Sequence, residues 1–140
     1  MPKMSKREVE DIRVKLVLAE HTISSGRLDS PAVKKITDPY STNVGVIGLL
    51  YFVEEDLQFP GYLKEMAEKH EWFREKWPNP TREGLLNEAL KKLNDLPKEI
   101  REDKHLTDED KRILYEAVEY SATHLPPLMK RAGYTIVGKK

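Results

Sequence analysis

Apolar residues recur three and four positions apart through most of the chain, the spacing that places them on one face of a helix. Ser5 and Glu8 have the spacing of a capping box, and Val9, Ile12, Leu16, Ala19 and Ile23 follow at helical intervals up to a stop near Gly26. This predicts a first helix from about Lys6 to Ser24. Within it Ile12, Val14, Leu16 and Leu18 also alternate as a strand would, while Val14, Val17 and Leu18 leave little polar face. Residues 12–18 are therefore read as a helix buried on two sides, with a strand as the alternative. Ser30-Pro31 predicts a capped short helix ending before Asp38-Pro39, with a turn over Tyr40–Asn43.

The run Val44–Val53 is continuously apolar, and its periodicity fits a buried helix or a buried strand equally well. Helix is preferred, with Thr42 or Asn43 as cap, because Glu54, Glu55, Asp56 and Leu57 carry the segment past strand length. Phe59-Pro60-Gly61 opens a helix over Pro60–Trp77 whose stripe is Leu63, Met66, His70, Phe73 and Trp77, ended by Pro78-Asn79-Pro80. Asn79 as cap and Pro80 at the first helical position predict a helix burying Leu85, Leu86, Ala89, Leu90 and Leu93 and closed by Pro97. The polar stretch from Lys98 to Leu106 reads as a connection.

Thr107 caps the last long helix, with Asp108, Glu109 and Asp110 in its first turn, where the helix dipole favours acids. Its buried face is Ile113, Leu114, Ala117, Val118, Ser121 and Leu125. Pro126-Pro127 then predicts a fresh short turn ending at Gly133, followed by an extended tail over Tyr134–Val137. The expected architecture is all-α: one compact helical bundle over residues 1–140, with about four long and one or two short helices and a short extended C-terminal tail.

Charge adds one feature. Lys plus Arg and Asp plus Glu balance at 24 each among 140 residues, so no global field draws the molecule to a polyanion. Both ends are nevertheless basic. Lys3, Lys6 and Arg7 stand at the start, and Lys130, Arg131, Lys139 and Lys140 follow Glu119 with no acid among them. Solvated tails are the simpler reading, and proximity to nucleic acid is the functional one. Absence of cysteine excludes disulfides, thiol nucleophiles and Cys-ligated metal. The ten-residue run Val44–Val53 is about half a membrane span, so a cytoplasmic protein with no membrane partner is expected. A single glutamine, Gln58, with heavy use of Glu and Lys, suggests a thermophilic source.

Catalytic constellations are sparse. Glu102-Asp103-Lys104-His105 is a lone Glu-x-x-His in a connection, where a di-iron bundle needs two such motifs and further glutamates. A calcium loop counted from Asp103 has Asp108 where glycine is required. Seven scattered glycines build no phosphate loop. No two of His21, His70, His105 and His124 stand four apart, and His70 and His124 fall on apolar stripes, which suits core or rim histidines. The one acid cluster set against apolar residues is Glu54-Glu55-Asp56, the candidate metal or catalytic site. A helix-turn-helix over Pro80–Leu125 fails on charge, because Asp108, Glu109, Asp110, Glu116 and Glu119 on the reading helix would repel phosphate. No catalytic residue, metal ligand or cofactor is expected.

Trp72 departs from its pattern. On a continuous helix over Pro60–Trp77 it lies opposite the Leu63–Met66–Phe73 stripe, among Glu68, Lys69, Glu75 and Lys76. A covering segment of the same chain or a partner protein would account for it, since Trp is enriched as an interface anchor. The expected function is thus a non-enzymatic regulator or adaptor that docks on a larger protein machine through Trp72, Glu68, Lys69 and Lys76. RNA polymerase, in transcription regulation, is the named case, with the basic ends near nucleic acid. Direct nucleic-acid binding by the termini is the alternative, and a metal-dependent enzyme using Glu54, Glu55 or Asp56 is the third.

Overall fold

The computed structural model describes residues 4–23, 30–37 and 44–137, and among them every regular element is helical. The helices are α1 (Lys6–Thr22), α2 (Pro31–Thr37), α3 (Val46–Gln58), α4 (Tyr62–Lys69), α5 (Glu71–Lys76), α6 (Arg82–Glu102) and α7 (Asp108–Arg131). Residues 12–18 and 46–53 are helix, which settles both ambiguities against a strand. Ser5 closes a full capping box with Glu8, and Val9, Ile12, Leu16 and Ala19 form the buried face of α1. Val14 and Leu18 stay exposed, so α1 is buried along one stripe and not on two sides.

The four longest helices close a ring of neighbours: α1 packs on α3 and α7, and α6 packs on the same two. Leu16, Leu49, Leu50, Leu86, Leu93 and Leu114 meet in its interior with no more than marginal exposure. Met4 belongs to this core, which corrects the reading of the first residues as a solvated tail.

Several boundaries differ from the sequence reading. Gly45 is the N-cap of α3 and makes no side-chain hydrogen bond, while the expected caps Thr42 and Asn43, the stop at Gly26, and the turn over 40–43 lie outside the described residues. The single helix expected over 60–77 is two short ones, because His70 (φ −127°, ψ 114°) leaves helical geometry between Lys69 and Glu71. Thr81, not Asn79, caps α6, its hydroxyl accepting the Gly84 N–H at 2.9 Å.

Prolines expected to stop helices sit inside them. Pro97 lies within α6, and Pro126 and Pro127 within α7. Each costs a backbone hydrogen bond and strains the preceding turn, by about 3 kcal/mol in a bare helix. Downstream burial offsets part of that cost, since fully burying Ile or Met is worth roughly 1.5–3 kcal/mol. Ile100 beyond Pro97, and Met129 beyond the proline pair, are completely buried.

Asp103 ties two remote elements together. It ends α6, and its buried carboxylate accepts the Ser30 hydroxyl, the Ala32 N–H at 3.1 Å and the His105 N–H at 2.8 Å. One side chain thereby serves the orphan donors at the start of α2 and the turn after α6.

Candidate protein-docking face

The break at His70 turns α5 relative to α4 and brings its aromatic residues onto α3. Phe73 is fully buried and meets the nearly buried Phe52 edge-on, with ring centres 5.3 Å apart at 84°. Trp77 stands 4.9 Å from Phe73 and donates its indole N–H to Glu88 Oε1 at 2.9 Å. Trp72 is 45% exposed, with its ring centre 5.6 Å from Phe73 and 6.4 Å from Phe52. On the other side of Phe52, Tyr51 is 44% exposed at 6.2 Å, and the Arg13 guanidinium stands 5.9 Å from its ring. Two exposed aromatic rings therefore flank one nearly buried ring. Among the described residues, the Trp72 indole N–H donates no hydrogen bond, in contrast to that of Trp77.

The expected companions of Trp72 divide at the break. Lys76 shares α5 with it and places its ammonium 5.6 Å from the Trp77 ring. Glu68 and Lys69 end α4, so their spacing to Trp72 is no longer that of neighbours on one helix surface. Lys69 pairs with Glu65 at 3.5 Å, and the Glu68 carbonyl accepts from Arg74 at 3.3 Å. His70 itself is exposed at the junction and not on an apolar stripe, because the helix that would carry such a stripe is interrupted there.

Two members of the acid cluster, Glu54 and Asp56, are committed elsewhere. Glu54 is almost fully buried and takes both a close contact and a 3.2 Å hydrogen bond from the Arg13 guanidinium. Burial pushes its carboxyl up, Arg13 pulls it back, and the balance stays above the ordinary carboxylate range. Asp56 accepts from Arg82 through one oxygen and from the Leu63 N–H at 2.9 Å through the other, fixing the start of α4 against α3 and α6. Two guanidinium groups thus answer the charge of these carboxylates. Among the described residues no three His, Asp or Glu side chains converge as a ligand set would.

The basic ends meet in part. Lys6 and Arg7 begin α1 and Lys130 and Arg131 end α7; Arg131 pairs with Glu8 and joins the two ends. That contact with Arg131 holds the Glu8 carboxyl below its usual range. Lys3, Lys139 and Lys140 lie outside the described residues.

Between α1 and α7 runs a groove of about 590 Å³ lined in part by Asp11, Val14, Tyr120, His124 and Leu128. Tyr120 donates its hydroxyl to Asp11 at 2.7 Å, which raises its pKa above the usual phenol range, and His124 stacks on its ring at 3.9 Å. The His124 Nδ1 lies 2.7 Å from the Tyr120 carbonyl, and since a carbonyl only accepts, Nδ1 carries a proton. His124 is exposed, which corrects its placement on an apolar stripe. Tyr120 and His124 are four apart on one helix, a spacing that was visible, but neither residue's neighbour on α1 was.

Compared with protein-family models, curated proteins and solved structures, the chain finds no match.

Proposed function

We propose that this chain is a non-enzymatic adaptor that docks on a larger protein through the Tyr51–Phe52–Trp72 face, with Trp72 as the anchor. One observation carries the reading: an indole nearly half exposed, held in place by rings beneath it, with an N–H that no described residue accepts. Such a side chain has already lost much of its conformational freedom, so a partner that covers it gains apolar burial and one hydrogen bond at low entropic cost. The partner is taken to be a nucleic-acid-handling machine such as RNA polymerase, with the chain acting as a regulator in the cytoplasm. The joined ends of α1 and α7, which begin with Lys6 and Arg7 and end with Lys130 and Arg131 and are tied by the Arg131–Glu8 pair, support that choice. The chain is read as one folding unit around the four-helix ring, with the segment after α7 as its extended tail.

Capture from source-cell lysate after nuclease treatment tests the reading, with three baits compared. The parent should retain RNA polymerase, and Trp72→Ala should lose it, with affinity weakened by roughly 2 kcal/mol or more. Trp72→Ala should cost less stability than Phe73→Ala, because nearly half of the indole is exposed whereas Phe73 is fully buried. Phe73→Ala should lower the melting temperature through a loss of about 3–5 kcal/mol. Retention of the partner by Trp72→Ala, or its release by nuclease alone, would overturn the proposal, the latter in favour of direct nucleic-acid binding.

A further inference from the structure

The segment after α7 is held by side chains that bind its backbone. α7 closes at Gly133, whose φ of +86° suits glycine, with Gly133 N–H bonded to the Lys130 carbonyl at 3.0 Å and Tyr134 N–H to the Met129 carbonyl at 2.9 Å. This Schellman closure leads the chain back to α6. There Glu83 accepts the Thr135 N–H at 2.6 Å. Asn87 makes two contacts, donating to the Thr135 carbonyl at 2.8 Å and accepting the Val137 N–H at 2.7 Å. A further donation from Asn87 to the Glu83 carbonyl at 3.0 Å fixes the orientation of its amide.

Residues 135 and 137 thus direct their backbones to the same side, as alternate residues of an extended segment do. Ile136 between them packs against the core, while Val137 is 73% exposed. None of these hydrogen bonds involves the side chains of Thr135 or Val137. The face therefore recognises an extended backbone with one apolar residue at its centre. Alongside it an open groove of about 860 Å³ continues past Glu88 and Lys91 to Asp95.

We propose that this face of α6 is a peptide-acceptor site, and that its intermolecular occupant is the same C-terminal segment from a second copy of this chain. Each hydrogen bond made within the chain can be remade between chains without change, which is the condition for arm exchange. The hinge is a glycine, free to take either sign of φ, and the bonds to be broken are exposed. Within one chain the segment has an effective concentration in the millimolar range, so exchange emerges only where copies are crowded to comparable density. Donor and acceptor lie on different surfaces. Mutual exchange closes a pair, and one-way exchange runs head to tail.

The test uses full-length protein and a synthetic peptide of residues 133–140, with a scrambled peptide as reference. Thr135→Pro/Val137→Pro removes both backbone donors and releases the segment. The released variant should bind the peptide at least about tenfold more tightly than the parent, whose own segment competes. Adding Asn87→Ala should remove that binding while the helical circular-dichroism signal persists. Should the double proline variant fold poorly, Val137→Pro alone, at an exposed position, should show the same order of binding. Parent protein should associate as its concentration approaches the millimolar range, and Asn87→Ala should not. Failure of every released variant to bind the peptide, binding that survives Asn87→Ala, or a scrambled peptide that binds as well would overturn the acceptor site. A parent that stays monomeric at every concentration while its released variant binds the peptide would overturn the second copy as occupant.

Discussion

Arg13 and Glu54 show how much one pair of side chains decides. The carboxylate is buried and the guanidinium partly so, which makes the pair costly to break from one side, by about 3–5 kcal/mol for an uncompensated buried charge. Arg13→Ala should therefore destabilise the protein strongly at neutral pH. Glu54 already sits above its ordinary pKa of 4.5, and losing Arg13 moves it higher. A raised folded-state value favours the folded protein at low pH and penalises it as pH rises through that value. The deficit of Arg13→Ala should thus shrink in acid, which urea titrations at several pH values would show. Asp103 has the opposite sign. Burial alone would raise its pKa, but the hydrogen bonds from Ser30, Ala32 and His105 outweigh burial and hold it below the ordinary 3.8. Its contribution is complete above that value and is lost as pH falls through the depressed one. Asp103→Asn should cost roughly 1.5–3 kcal/mol at neutral pH. The gap between variant and parent should close in acid.

At the level of helices, the chain's own punctuation explains both what could be read from sequence and what could not. Capping at Ser5 and Thr107 was legible, because a side-chain oxygen and an acid three residues on satisfy each other locally. The prolines misled for a physical reason: Pro97 opposes the helix locally, whereas the burial of Ile100 that sustains it depends on α7 and the rest of the core. Pro97→Ala should restore a backbone hydrogen bond in α6 without touching the core. Allowing for the greater entropy of the unfolded chain, it should stabilise by roughly 1–2 kcal/mol, read as a higher melting temperature. At His70 the sequence continues a helical stripe through Phe73, and only the packing of Phe73 and Trp77 against Phe52 of α3 shows that the helix must break there. The exposure of Trp72 was legible as a mismatch, but its neighbours were not. Tyr51 and Phe52 come from another helix, and Glu68 and Lys69 belong to a different one.

For the molecule as a whole, the decisive arrangement is that the first and last long helices are partners. α1 packs along α7, and Arg131 reaches Glu8 across 123 positions of sequence. Of the basic ends read from sequence as two separate tails, Lys6 and Arg7 of α1 and Lys130 and Arg131 of α7 are thereby brought to one end of the molecule. The same arrangement sets an order on synthesis. A ribosome releases α1 before α7, and at about 5–20 residues per second the interval between them is on the order of ten seconds. Until α7 emerges, Val9, Ile12, Leu16 and Ala19 can be covered only by α2 and α3, so the ring of helices closes only once α7 has left the exit tunnel.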